Sequence, residues 1–420
     1  MRLRMAVLLG SGIIAGWPAF AGSSGQESKT APPVAVLAAT IDLSRPARDP
    51  EKWTPLQKQF DYSAVRGADW LFRANRLDGR FVPGYNPALQ TIAEGYHFPS
   101  QAGAAFALAR AGRYTGNEKY LARAKQAILT LLLDTTTDAN DPKIRHTVLP
   151  SSAVNRLGAA GLLLMAIHEL PAPGDDLLEQ GEQLCAFIAR QQLADGSLST
   201  DDANLEGKLD TSLESAAFAG QALLGLIASE RHRQAGWKTE LIRKALPYYQ
   251  TAWKAHPDAA MVPWHTAAFA EAYLRTQEKA FADFVFAMSD WICEMQYSRL
   301  DLQNPTWIGG FMAFANGKPV MQEPEASSAL YAEGLVVACR AARQAKDTQR
   351  YQRYGLAAQN CLQFLTTLQY NEVNTSHFVD RYKLILLGGF HASGKNGNLH
   401  IEYAYPAVSS MVQFMSYLTE

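Results

Sequence analysis

Gln191-Gln192-Leu193-Ala194-Asp195-Gly196-Ser197-Leu198 ends a helical pattern on glutamine, turns through a glycine and resumes on a bulky apolar residue. The same pattern occurs at Leu77-Asp78-Gly79-Arg80-Phe81, after Trp70 and Phe72. It occurs again where Met295-Gln296-Tyr297 is followed by Gly309-Gly310-Phe311, and Gly388-Gly389-Phe390 echoes it. A glycine in this position ends a helix in the left-handed conformation. The aromatic or leucine after it then plugs back under the helix end. Repeats of this kind imply one domain built from like units rather than two or three unrelated domains.

From about Tyr62 onward the chain shows helical periodicity with few period-two runs. The helices pair. The first of each pair is amphipathic; the second is rich in Ala, Gly, Ser and Leu, as in a helix enclosed on all sides. Expected pairs are Tyr62–Asn75 with Tyr96–Gly112, Glu118–Leu133 with Ser151–Glu169, and Leu177–Leu193 with Thr211–Ser229. Lys238–Ala255 with Pro263–Arg275, Lys279–Gln296 with Pro324–Gln344, and Asp347–Leu368 with Ile401–Leu418 complete the set. Turns after second helices are short, as at Arg113–Asn117; connections after first helices are long, as at Tyr297–Glu323. A solenoid of tetratricopeptide type has uniformly tight loops. The alternation instead predicts an all-α fold, an (α/α)6 toroid of six helical hairpins over residues 56–420. Its long connections share one rim with the N-termini of the inner helices.

The Gln, Asp-Gly or Gly-Gly, then apolar pattern resembles the repeat of α/α-toroid proteins: terpenoid cyclases, prenyltransferase β-subunits and six-hairpin glycosidases. The resemblance implies fold more than chemistry. An Asp-rich cyclase acid motif and the Asp, Cys and His zinc ligands of prenyltransferases are not recognisable, so a terpenoid-cyclase-like enzyme is the least favoured of these readings. Locally, Gly309-Gly310-Phe311 through Gln322-Glu323-Pro324-Glu325-Ala326-Ser327-Ser328-Ala329 and Glu333-Gly334 is similar to the C-terminal helical domain of glucuronyl C5-epimerases. Glu325 stands where that pattern has glycine.

The first residues read as a secretory signal. Arg2 and Arg4 precede an apolar stretch from Met5 to about Ala15, and Ala19-Phe20-Ala21 is a small-x-small cleavage site. Cleavage after Ala21 would leave a periplasmic or secreted protein with no stable membrane insertion, and residues 22–55 as a Pro/Gly/Ser-rich linker or arm. Formal charge is −1, which gives no indication of a nucleic-acid partner. Cys185, Cys293, Cys339 and Cys361 lack zinc-ligand spacing, so neither a metal nor another cofactor is expected. Cys339 and Cys361 lie on successive helices, where either a disulfide or two buried thiols is consistent with the pattern.

Candidate functional residues are those the inner-helix N-termini would present. Glu214 and Glu325 form the first carboxylate pair for glycosidic bond cleavage, with Asp210 or Glu402 as substitutes. Tyr96, His97, His265 or His400 are candidate acids or bases for a lyase or C5-epimerase, with Asn155 and Arg156 as stabilisers. Trp264, Tyr331 and Tyr403 offer faces for sugar rings. Arg156, at the start of an apolar helix, needs a partner or a ligand; Glu214 would serve as such a partner. The expectation is a carbohydrate-active protein of glycoside hydrolase, lyase or C5-epimerase type, acting on a polysaccharide with or without uronic acids. The alternative is a non-catalytic toroid of the cell envelope that binds glycan or a protein partner.

Overall fold

The computed structural model describes residues 50–150, 154–200, 213–298, 303–315 and 317–417, except the side chains of residues 213–216. The six outer helices are α1 (Pro55–Ala74), α3 (Glu118–Leu133), α5 (Asp175–Arg190), α7 (Gly236–Ala255), α9 (Lys279–Cys293) and α11 (Thr348–Thr367). The inner ones are α2 (Phe98–Thr115), α4 (Arg156–Glu169), α6 (Leu213–Ser229), α8 (Val262–Thr276), α10 (Ser328–Gln344) and α13 (Ile401–Tyr417). A short extra helix, α12 (Asp380–Leu386), lies in the last connection.

Inner helices pack in sequence, α2 on α4, α4 on α6, α6 on α8, α8 on α10 and α10 on α13. The ring closes because α13 packs back on α2. Small residues permit these close crossings: the Gly161 Cα region of α4 lies against Gly225 of α6, where an added Cβ would strike backbone. The inner stripes are accordingly buried nearly throughout, as in Ala102, Ala104, Ala105, Ala107 and Leu108 of α2.

Each repeated glycine turn fastens one outer helix to the next in the ring. Gln192 donates its side-chain N–H to the Gly196 carbonyl (3.3 Å) and to the Leu241 carbonyl of α7 (2.9 Å). Gln296 does the same to Gly309 (2.9 Å) and Ala357 of α11 (2.8 Å). Gln369 reaches Gly388 and Ser63 of α1, both at 2.9 Å, and so ties the last hairpin to the first. Asn75 is the shorter member of the series and bonds only its own turn, at Gly79 (2.8 Å). In each turn the apolar residue bridges back to the helix end, Phe81 to Asn75, Leu198 to Gln192, Phe311 to Gln296 and Phe390 to Gln369.

The connections differ from expectation in three ways. They carry short strands: β1 (Gly84–Asn86) between β2 (Thr91–Ile92) and β7 (Leu399–His400), β3 (Thr135–Thr137) with β4 (Arg145–Thr147), and β5 (Ala313–Ala315) with β6 (Lys318–Val320). Three-residue strands are too short to leave a periodic signal. The connection from α7 to α8 is not long, spanning only residues 256–261. Several inner helices also begin later than expected: α10 starts at Ser328 rather than Pro324, which leaves Glu323 and Glu325 in the loop before it. All four cysteines are free; Cys339 donates to the Tyr351 carbonyl and Cys361 to the Ser328 carbonyl.

Candidate active site

The pairing of β1 with β7 places the first connection beside the last, with Gly84 opposite His400. At this seam lies an open recess of about 410 Å³, lined by Tyr85, Asn86, Thr91, Glu94, Asn398 and His400. Amides, a carboxylate and an imidazole around one hollow suit a ligand dense in hydroxyl groups.

Beside the recess, the starts of α10 and α13 bring Glu325, Glu402 and Tyr403 into mutual electrostatic range. Burial raises the Glu325 carboxyl above its usual range, and the Glu402 charge raises it further. Glu325 is open to water, yet the protein around it removes part of its hydration. Tyr403 is pushed up to about 12, first by burial and then by Glu325 and Glu402. Its ring meets His400 edge-on, with centroids 5.7 Å apart. Tyr331 of α10 packs on Phe311 at 5.2 Å and is raised by burial and by the Asp258 charge. Asp258, in the short α7–α8 connection, is itself raised by burial, although it accepts from the Ala260 N–H at 2.9 Å.

The α2 side of the rim carries a second group. Tyr96 donates to Asp134 at 2.8 Å, and Arg80 lies over the Tyr96 ring at 4.8 Å while bonding Asp134 at 3.2 Å. His97 is exposed and contacts Ser100 through Nδ1 at 2.7 Å. Asn155 caps α4, accepting from the Gly158 N–H (3.1 Å) and donating to the Thr200 carbonyl (2.9 Å). The half-buried Arg156 opens that helix. Trp264 is buried, 7% exposed, and takes part in the core. Asp210 lies outside the described residues; Glu214 is in the first turn of α6, its side chain likewise outside them.

His265 requires a correction. Its side chain is fully buried, its ring 4.6 Å from Tyr249, and its Nδ1 is 3.2 Å from the Met261 carbonyl. A group with no exposed surface does not meet substrate, so His265 is a core residue. Burial lowers it to about 4, and lowers the equally buried His168 to about 3. Both histidines are therefore neutral in the folded chain, whereas the unfolded chain binds a proton at each below about 6.5. Their contribution is complete above that value and is lost as pH falls from about 6.5 toward the folded values. The urea midpoint should drop between pH 7 and pH 5, and His265→Gln should drop less across that interval. An equal drop in both proteins refutes this assignment for His265.

Asp258 and Asp134 were not singled out from the sequence, because an aspartate in a loop has no spacing that marks it. A larger omission lies at the other end of the ring. There Arg110 pairs with Glu333 (2.7 Å) and Glu169 (3.6 Å), and Glu169 also takes Arg113 and Arg231. Arg340 pairs with Glu271 at 2.8 Å and Arg275 approaches Glu230 at 3.9 Å. The surrounding arginines hold Glu169 down at about 2 despite its burial. Among the described residues, no cluster of three or more His, Cys, Asp or Glu has the arrangement to hold a metal ion.

No family model matches the chain, and no curated protein matches it. Solved structures do. D-mannose isomerase is similar with a TM-score of 0.63 and 10% identity, covering 88% of this chain and 99% of that one. Cellobiose 2-epimerase from Bacillus thermoamylovorans B4167 has a TM-score of 0.60 and 11% identity, covering 86% and 98%. Unsaturated glucuronyl hydrolase from Bacillus sp. GL1 has a TM-score of 0.57 and 11% identity, covering 84% and 96%. With six hairpins closed by α13 on α2, and with a fold shared with these proteins over 84–88% of its length, the chain is an (α/α)6 toroid.

Proposed function

We propose that this toroid is an exported carbohydrate-active enzyme that cleaves a glycosidic bond at the seam between α10 and α13. The reading rests on Glu325, a carboxyl raised by burial and by the charge of a second carboxylate, Glu402. Such a pair divides the work of glycoside hydrolysis. Glu325 gives its proton to the glycosidic oxygen as the bond to the anomeric carbon breaks. Glu402 takes a proton from the water whose oxygen bonds that carbon. Tyr403, His400 and Tyr331 bind and orient the sugar, and Arg156 offers a guanidinium to an acidic residue such as a uronate. The three similar structures, whose names place them on mannose, cellobiose and a glucuronyl substrate, support a sugar as ligand.

The test is proton NMR in deuterated buffer with neutral and uronate-containing oligosaccharides. New reducing-end anomeric signals support hydrolysis. Olefinic H4 signals, or loss of H5 without cleavage, replace it with elimination or epimerisation. Binding without any change in the sugar replaces it with a non-catalytic toroid.

Export has its own test. Expressed with its first residues intact in a Gram-negative host, the protein recovered outside the cytoplasm should begin at Gly22 by intact mass. A mass that retains Met1 overturns cleavage after Ala21.

A further inference from the structure

The arginine–glutamate network lines a cavity of about 60 Å³ among the middle and C-terminal turns of the inner helices. That is room for one or two waters or one small ion. The cavity lies toward the rim of short turns. Gln413 and Arg110 on its wall are twelve residues into their helices, roughly 18 Å along the axis from their starts, whereas Glu333 is five residues into α10, roughly 8 Å from its start.

Two polar groups on its wall lack a hydrogen-bond partner. Arg275 has a buried Nε without one, and the side-chain Oε1 of Gln413, a residue only 5% exposed, has none either. A buried donor left unpaired costs free energy comparable to a lost hydrogen bond, and two around one void call for an occupant. The Gln413 amide is equally consistent with its nitrogen turned to the cavity, since oxygen and nitrogen are interchangeable in such an assignment.

Charge selects the occupant. Among the described residues the network holds five arginines against four glutamates, of which Arg110, Arg231 and Arg275 and Glu169, Glu271 and Glu333 line the cavity itself. Burial raises the Glu333 carboxyl, and Arg110, bonded to it at 2.7 Å, opposes that shift. Helix C-termini favour cations, which accounts for arginines at this rim. They supply no acceptor to Arg275 Nε, however.

We propose that this cavity binds a small inorganic monoanion of halide size, held by Arg275 and Gln413 in the field of Arg110 and Arg231. The site is separate from the sugar-binding rim, and its test uses no sugar. The full chain is crystallised from sodium bromide and the anomalous map examined at the cavity. In parallel, thermal midpoints are measured in sodium chloride and sodium gluconate at constant ionic strength. A bromide peak between Arg275 and Gln413 is expected, with a saturable upward shift of the midpoint in chloride that Arg275→Gln abolishes. No anomalous peak there, or a chloride shift unchanged in Arg275→Gln, overturns the proposal and leaves water as the occupant. Where Arg275→Gln does not fold, the bromide map of the unaltered chain decides.

Discussion

Glu325→Gln is expected to lower turnover of a cleavable oligosaccharide by roughly 10²- to 10⁴-fold, the range attributable to one positioned acid, while leaving sugar binding within a few-fold. Glutamine keeps the shape and can still hydrogen-bond a hydroxyl, but has no proton to give. The pH dependence follows from the direction of the Glu325 shift. Burial and the Glu402 charge raise this carboxyl, so the acid form persists above the ordinary carboxylate range and activity falls as pH rises through the raised value. Glu402→Gln removes the repulsive charge. The alkaline limb of the residual activity should then move to lower pH, and turnover itself should fall as steeply as in Glu325→Gln, a loss that a merely structural Glu402 would not produce. The same sign governs stability. A carboxyl raised in the folded state stabilises at low pH, and that contribution is lost as pH rises past its folded value. Glu325→Gln should accordingly be no less stable than the parent at neutral pH. Turnover within three-fold of the parent removes Glu325 as the acid.

The ring was legible because its pieces repeat. Gln192 and Gly196 sit in register with Gln296 and Gly309, and with Gln369 and Gly388, and each turn makes the same pair of amide bonds. The alanine-rich inner helices stood out because enclosure on all sides removes charged residues. The site was legible only as a place. Sequence put Glu325, Glu402, Tyr403 and His400 at inner-helix starts, and the structure brings them to one seam. It could not separate them from His265, because apolar and polar walls of a ring alternate along a helix with the same period. Trp264 and His265 are adjacent in sequence at the same helix start, yet both face the core. Pairs made across the ring, such as Arg110 with Glu333 at a separation of 223 residues, leave no local trace at all.

Gly388→Ala, like a methyl at Gly196 or Gly309, is expected to be severely damaging, and Gly116→Ala is its control. Both glycines have left-handed backbone, φ +87° and +71°. Both substitutions therefore carry the same conformational cost, about 1–2 kcal/mol. They differ in surroundings. At Gly116 nothing lies within 4 Å of an added Cβ, whereas at Gly388 the Cβ would collide with the Arg66 carbonyl oxygen of α1. Backbone cannot swing aside as a side chain can, so the turn must withdraw from α1. Withdrawal strains the two bonds of Gln369, which join this turn to Ser63 and so close the last hairpin on the first. Overpacking of this kind adds about 1–3 kcal/mol, and loss of a buried amide pairing adds about 1–3 kcal/mol more. Urea denaturation should place Gly116→Ala modestly below the parent midpoint and Gly388→Ala far below it. Because Gln369 bonds both its own turn and α1, Gln369→Ala in the Gly388→Ala background should cost less than Gln369→Ala alone, since the alanine has already broken the same contact. Full additivity of the two would mean that the ring closes through the α13–α2 packing alone, with the glycine turn as a passive helix stop.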